Sequence, residues 1–313
     1  MNNLVSRVWY FIKTDFSVPK YALVLLLAMG LIGINYFISP LETGLINKLP
    51  GGPLRSLGYF LLYSFSYYTA SFIILNFNDR LSILTEPTFW LLSIAGIVIF
   101  SLDSGFWLPQ LILNGNNLKG QTYSFYFSLI SNGKGIITIS SVLLLINFLT
   151  LENKQEKLGL NKEGNLKPFL ILLVTIAPFI LISALDRGLS NYYPTFKYFH
   201  IAELWNSPEW VPVIFYEFIY GADFFNIELF FRGFLVIGLS TVLGRDAILP
   251  MAIFYCTIHF GKPLAECISS LLGGYLLGIV AFETRNIWGG VMLHIGVAWL
   301  MEMAAAISNY YGH

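Results

Sequence analysis

Charged residues are scarce in this 313-residue chain and make up only 12% of it. Soluble globular domains carry about 25% charged residues, so this composition excludes an ordinary water-soluble domain. The formal net charge is zero, and the sequence has neither a basic tail nor a nucleic-acid-binding motif. We therefore expect no nucleic-acid partner.

Cysteine and histidine are also rare, with two and four residues respectively. Cys256 and Cys267 both lie in apolar surroundings, which favours two buried thiols over a disulfide. Cysteine usage therefore excludes a disulfide-rich secreted scaffold.

What the chain has in abundance is apolar sequence: 56% of it is hydrophobic and 17% is aromatic. Runs long enough to cross a bilayer recur from end to end. They predict an all-α fold, a polytopic transmembrane helical bundle with eight or nine spans. The predicted spans are 21–38, 57–76, 88–107, 135–149 (with an alternative start near 123), 168–185, 211–240, 247–260, 264–282 and 287–307.

The N-terminus carries Arg7, Lys13 and Lys20 ahead of the first apolar run, and no signal-peptide cleavage site follows that run. This pattern predicts an uncleaved first span, and the distribution of Lys and Arg among the loops favours a cytoplasmic N-terminus. The spacing within residues 4–13 indicates a short helix lying in the membrane interface, with a frayed tail as the alternative.

The most polar internal segment, 151–167, divides the chain into two predicted regions. Residues 1–167 form an N-terminal transmembrane region to which no role is assigned. Residues 168–313 form a C-terminal transmembrane region that holds charges and histidines within its spans. In the eighth span, Ser270, Gly274 and Gly278 form a stripe of small residues that would let another helix approach closely.

Two full charges stand inside the sixth span, in the segment "DFFNIELFFRGFLVIGLS" (223–240). A charge at the bilayer centre costs roughly 2.5–3.5 kcal/mol on insertion scales. Glu228 and Arg232 are four residues apart on one helix, so they can form an ion pair. Pairing explains how the two charges are tolerated, but two leucines would serve packing as well, so the alternatives are a structural ion pair and a functional site.

Two histidines strengthen the functional alternative. His259 lies at the end of the seventh predicted span, and His294 lies inside the ninth. At 1.5 Å per residue, Glu228 and His259 lie roughly 18 Å, and His294 roughly 10 Å, from the membrane face that carries loops 241–246 and 283–286. After allowance for tilt, the three side chains can meet in one layer of the bundle.

Other carboxylates are poorer candidates for this layer. Glu217 and Glu302 lie too far along their helices, by roughly 16 and 12 Å. Asp223 points roughly 140° away from Glu228 around the helix. A carboxylate with two imidazoles can activate water and stabilise an oxyanion. It could also hold zinc, but the sequence lacks the usual spacing of zinc ligands, so we expect no cofactor.

Three segments resemble the CPBP family of intramembrane peptidases, which are related to type II CAAX prenyl endopeptidases and bacteriocin-processing or immunity proteins. They are "ELFFRGFL" (228–235), "FYCTIHF" (254–260) and "GGYLLGIVAFETRNIWGGVMLHIG" (273–296). The resemblance covers about 211–305. The family pattern is Glu-Glu-x-x-x-Arg on one span, a Phe before a His on the next, and His-x-x-x-Asn or Asp on the last.

The resemblance implies that Glu228, Arg232, His259 and His294 are the catalytic residues. In the family mechanism, a Glu and the middle His activate water, and the last His and Asn stabilise the oxyanion. Two positions depart from the pattern: Ile227 replaces the first Glu, and Ala298 replaces the Asn. Either Glu228 takes over as the base, or Asp223 does so from a segment kinked at Gly221, or the chain no longer cuts.

Three functions follow from this reading. The first is an intramembrane endopeptidase that hydrolyses a peptide bond in a membrane-associated protein or peptide. The second is a non-catalytic relative that acts as a binding, immunity or maturation-partner protein. The third is a proton-coupled transporter, which the lack of an inverted repeat disfavours. Low charge and abundant Phe, Ile and Asn suggest a bacterial inner membrane.

Overall fold

The structure is a computed structural model that describes residues 2–115, 118–150, 158–161, 164–183, 187–196 and 200–311. In the bilayer core no water is present to bond the backbone N–H and C=O groups. A long apolar segment therefore forms a helix, in which these groups bond to one another. The α-helices are α1 Asn2–Asp15, α2 Val18–Gly33, α3 Pro53–Phe77, α4 Pro87–Gly105, α5 Leu108–Gly115, α6 Gly120–Gly133, α7 Ser141–Thr150, α8 Lys167–Ser183, α9 Arg187–Tyr192, α10 Ile201–Leu204, α11 Trp210–Glu228, α12 Ser240–Leu243, α13 Ile248–Thr257, α14 Leu264–Thr284 and α15 Trp288–Tyr311.

The predicted all-α transmembrane bundle is confirmed. Seven helical segments of the described residues are long and apolar enough to cross a membrane, and α8 is a shorter apolar helix. One of the seven, Trp210–Thr257, contains two of the predicted spans, joined by a short 3₁₀ turn at Gly244–Ala247. Most of the polar segment 151–167 lies outside the described residues, and the two-region division stays a prediction.

The centre of the bundle is the segment that begins at α11. Most of Trp210–Thr257 is buried, whereas the other spans expose most of their surface. Large aromatic side chains fill this core, and Phe100, Phe230 and Phe254 pack edge-on or tilted against one another. Because the part of this segment from Asn226 to Ile237 is largely buried by neighbouring helices, it can carry polar side chains that face those helices.

The central helix changes its winding at Glu228. The α-helical pattern of α11 ends there and a π-helix runs from Leu229 to Gly238. Wide turns of this kind re-aim side chains and often occur at functional sites. Helix α11 continues through Gly221, where we considered a kink, and that residue packs against Trp299.

The seventh predicted span is shorter than expected. Helix α13 ends at Thr257, so His259 lies in the turn between α13 and α14 and not on a helix, as the prediction of 247–260 had it. Proline is poorly tolerated inside a helix, so α13 does not continue through Pro263, and α14 begins directly after it. His259 therefore lies in a loop. The backbone polar groups of this loop need hydrogen-bond partners that the regular helical pattern does not supply.

The small-residue stripe of α14 packs closely against α13. A side chain at Gly278 would lie 2.7 Å from Met251, and one at Gly274 would lie 2.9 Å from the ring of Tyr255. The glycines thus allow α13 and α14 to approach at short range, as predicted. Cys256 and Cys267 face each other across this contact as free thiols with their sulfur atoms 3.7 Å apart.

Candidate active site

A large cavity opens among α1, α8, α14 and α15. Its volume is about 1050 Å³. Most of the wall is apolar, and the predicted apolar face of α1, with Leu4, Val8, Trp9 and Ile12, forms part of it. One end is polar and is lined by Arg232, Tyr255, His259, Lys262, Glu266 and His294.

Glu228 and Arg232 form the ion pair that their spacing predicted. Arg232 Nη1 lies 3.0 Å from Glu228 Oε1, and both side chains are almost completely buried. The guanidinium also stacks over Tyr255, with Cζ 4.3 Å from the ring centroid. Arg232 Nε and Nη2 have no hydrogen-bond partner among the described residues. Because unpaired buried donors are costly, these two groups are available to an acceptor in the cavity.

His294 is held by Glu228 on one side and by Tyr255 on the other. Its Nδ1 lies 3.1 Å from Glu228 Oε1, and its Nε2 lies 3.1 Å from the Tyr255 hydroxyl. A carboxylate can only accept, so Nδ1 donates, and in the tautomer that this bond selects Nε2 is the acceptor for the Tyr255 hydroxyl. The result is a directed chain from Tyr255 through His294 to Glu228, with Glu228 fully buried behind the wall of the cavity.

His259 has a separate anchor. Its Nδ1 lies 2.9 Å from the Tyr255 carbonyl oxygen, and its ring packs edge-on against the Tyr255 ring. The carbonyl can only accept, so Nδ1 donates and the lone pair of the neutral ring is on Nε2. Tyr255 thus contacts both histidines, one through its hydroxyl and the other through its backbone.

Tyr255 is the residue that the sequence reasoning missed. It stood in the quoted segment only as a neighbour of His259, although its position four residues earlier placed it one helical turn away. Gly274 leaves room for its ring, since a side chain there would lie 2.9 Å from Tyr255 Cδ1. The signal that could have found it was this pairing of a tyrosine with a glycine stripe on the next helix.

A second charged pair at the polar end was also missed. Lys262 Nζ lies 3.0 Å from Glu266 Oε1 and 3.0 Å from the Tyr193 hydroxyl. Burial is the largest influence and lowers the pKa of Lys262, but Glu266, Tyr220 and Tyr192 together raise that pKa by more, so the net shift is upward. Lys262 therefore places a positive charge at the polar end of the cavity, in the same loop as His259.

The other carboxylates lie elsewhere, as their depth and direction predicted. Asp223 Oδ1 accepts a hydrogen bond of 3.2 Å from Asn226 and lies against Gly135, on the side of α11 away from the histidines. Glu302 accepts bonds from the Thr195 amide and hydroxyl. Among the described residues, no group of three or more His, Cys, Asp or Glu side chains could hold a metal ion.

The order of these residues along the chain matches one family. A model described as Type II CAAX prenyl endopeptidase Rce1-like matches residues 208–300. This stretch is a CPBP-family region. The recognition made from the sequence is confirmed, and the CPBP region supports a peptidase type of function in a multi-pass membrane protein. No curated protein and no solved structure matches the chain.

The two departures from the family pattern have clear positions within the CPBP region. Ile227 is partly buried and packs against the central hydrophobic cluster. Ala298 lines the cavity and packs with Tyr216 and Tyr220. Neither can supply a proton acceptor or a hydrogen-bond donor, so any chemistry in the cavity must come from the other residues.

Proposed function

We propose that the chain is an intramembrane endopeptidase that hydrolyses a peptide bond in a membrane-associated protein or peptide by means of activated water. The observation that carries the proposal is the meeting of Arg232, His259 and His294 at one polar end of the cavity. The family match supports the class of reaction. A cavity of this size and apolar character suits a ligand that arrives from the membrane.

In the proposed reaction, His259 Nε2 removes a proton from water as the water oxygen bonds to the scissile carbonyl carbon. The same proton passes from His259 to the leaving amine when the carbon–nitrogen bond breaks. The unpaired donors of Arg232 stabilise the oxyanion. Glu228 acts through Arg232, with which it pairs, and through His294, which it orients, because its carboxylate is fully buried.

This division of roles accounts for the two replaced positions. It needs no carboxylate at Ile227, since an imidazole is the base. The free donors of Arg232 supply the hydrogen bonds that Ala298 cannot. The Asp223 alternative receives no support, because that carboxylate contacts Asn226 and not a histidine.

The test compares two buried carboxylates on one helix. The purified chain in proteoliposomes is incubated with a library of membrane-associated peptides, and products are identified by mass spectrometry. Loss of an orienting or oxyanion-stabilising group costs about 10²–10³ in rate, so Glu228→Gln and His259→Asn should each lose at least about 10²-fold. The matched control, Asp223→Asn, should retain activity. Undiminished cleavage in both site variants would refute the proposal.

A second candidate is a non-catalytic relative that binds a peptide or a membrane protein as an immunity or maturation partner. The burial of Glu228 and the apolar Ile227 favour it, because a binding site needs no base. Binding that depends on Arg232, without any cleavage product, would support this candidate over the first.

The proposed setting is a cell membrane, with a bacterial inner membrane suggested by composition. The partners are the lipid bilayer and the peptide or membrane-protein substrate, and no nucleic acid or cofactor is proposed. Zinc held by the histidines remains the alternative. Activity that survives strong chelators would support the metal-free reaction, and activity restored by added zinc would favour the alternative.

A further inference from the structure

The loop between α13 and α14 carries two of the residues at the polar end of the cavity, His259 and Lys262. Helix α13 ends at Thr257 and α14 begins at Leu264. The backbone carbonyls between these helices have few partners in the regular helical pattern. Buried backbone groups that lack partners are costly, so something outside the two helices must satisfy them.

The partners come from the N-terminal part of the chain. The Asn35 side-chain amide donates to the Phe260 carbonyl at 3.0 Å, and Asn35 is almost completely buried. The Tyr36 hydroxyl lies 3.1 Å from the His259 carbonyl oxygen and 2.7 Å from that of Lys262. Three backbone carbonyls of the loop are thus held by two neighbouring side chains more than 220 residues earlier in sequence.

The same segment also contacts Gly261, another residue of the loop. The Glu42 carboxylate accepts a hydrogen bond from the Gly261 amide. A side chain at Gly261 would lie 2.9 Å from Glu42 Oε1, so glycine lets the carboxylate approach the backbone. A hydrogen bond within the segment holds its two ends together, since Asn35 Oδ1 accepts from the Leu41 amide at 2.8 Å.

Local backbone geometry explains why these side chains are presented together. Helix α2 gives way to a π-turn at Ile34–Ile38, followed by Pro40 and a second π-turn at Leu41–Leu45. Wide turns displace successive side chains from the ordinary helical spacing. Asn35, Tyr36 and Glu42 face one target, although the adjacent Asn35 and Tyr36 would point about 100° apart on a regular helix.

We propose that residues 35–42 are a positioning clamp that sets the place of His259 and Lys262 at the cavity. The segment lies outside the family-matched region, 208–300. The clamp acts on backbone atoms, so it fixes where the two side chains stand and takes no part in proton transfer. The inference concerns the position of His259 and holds whether or not the chain cleaves peptides.

The test measures how readily His259 reacts, without any substrate. The purified chain in phospholipid nanodiscs is treated with diethyl pyrocarbonate, and carbethoxylation of each histidine is followed by mass spectrometry. His200 has an exposed side chain and serves as the internal reference. His294 reports general loosening of the bundle, because it is anchored by Glu228 and Tyr255 and not by the clamp.

The main variant is Tyr36→Phe, which removes the hydroxyl and keeps the ring. Loss of a net hydrogen bond should raise the displaced population of the loop about fivefold. We expect His259 to react about fivefold faster relative to His200, with His294 unchanged. Asn35→Leu should act in the same direction. The matched control is Tyr68→Phe, which loses a hydroxyl contact with Ser93 between α3 and α4.

Three results would overturn the proposal. One is an unchanged His259 rate in Tyr36→Phe. The other two are an equal rise at His294 and an equal rise of His259 in Tyr68→Phe, either of which would show general loosening. If Asn35→Leu fails to fold, Tyr36→Phe decides alone. Failure of peptide cleavage would leave this measurement intact, so the two proposals fail separately.

Discussion

Two polar clusters lie on opposite sides of α11, and only one of them lines the cavity. On one side Glu228 contacts Arg232 and His294. On the other side lies a cluster formed by the Asp103–Lys134 ion pair, Thr138, Ser140, Asp223 and Asn226. Both contain charges inside predicted spans, so charge in a membrane helix does not by itself mark a site.

The difference between the clusters lies in their partners. In the Asp223 cluster, Lys134 Nζ lies 2.8 Å from Asp103 Oδ2, and the Ser140 hydroxyl donates to Asn226 at 2.6 Å. Its polar groups are used to join α4, α6 and α11. In the Glu228 cluster, Arg232 keeps donors without partners among the described residues and faces the cavity. Unused hydrogen-bonding capacity next to a cavity distinguishes the candidate site.

Removing the cation of each cluster should give the largest contrast. Arg232→Met leaves Glu228 buried without its cation, which costs about 3–5 kcal/mol of unfolding free energy. Lys134→Met should cost less, because Lys134 and Asp103 are partly exposed. Unfolding in mixed micelles measures both. The double variant Glu228→Gln/Arg232→Met should recover most of the loss, and equal losses in the two single variants would contradict the contrast.

A glycine beside each cluster gives a second comparison. A side chain at Gly290 would collide with the Glu228 carboxylate, and one at Gly135 would lie 2.7 Å from Asn226 Nδ2. Both alanine variants should lose stability by about 1–3 kcal/mol. Only Gly290→Ala should also lose about 10²-fold in the rate of peptide cleavage by the folded protein, because displacement of Glu228 misplaces His294. Thermal unfolding and the cleavage assay separate the two effects, and an equal fall in activity for Gly135→Ala would show that the assay reports stability alone.

The smallest expected effect is the pH dependence of stability that Glu42 causes. This carboxylate lies outside the membrane spans and so extends the comparison beyond the two clusters. Burial raises the pKa of Glu42 from 4.5 to about 7, and the Gly261 amide and Lys262 offset part of the rise. The folded state therefore binds this proton more tightly than the unfolded state. Its stabilising contribution is full below pH 4.5 and is lost as the pH rises through about 7.

Glu42→Gln should remove that dependence. The melting temperature of the parent chain should fall relative to Glu42→Gln as the pH is raised from 4.5 to 7. The exposed Glu86 provides the control, since Glu86→Gln should follow the parent chain. Parallel curves for the parent and Glu42→Gln would show that this carboxylate is not the buried titrating group.

The helices and the approximate membership of the site could be predicted because both depend on local patterns. Apolar length predicts spans, and the i, i+4 spacing places Glu228 beside Arg232. Depth along the helices brought His294 to Glu228. The end of α13 before His259 was not predictable from apolar length, because Ile258 and Phe260 are as hydrophobic as the helix that precedes them.

The sequence by itself determined a membrane-spanning helical bundle, a CPBP region and the side chains available for chemistry, because hydrophobicity and short spacings act within single helices. The tertiary structure alone decided that Tyr255 bridges the two histidines, that Glu228 stands behind the cavity wall, and that Asn35 and Tyr36 hold the loop of His259. These contacts join residues from different helices, and the orientation of each depends on how wide turns and glycine contacts set neighbouring helices against one another.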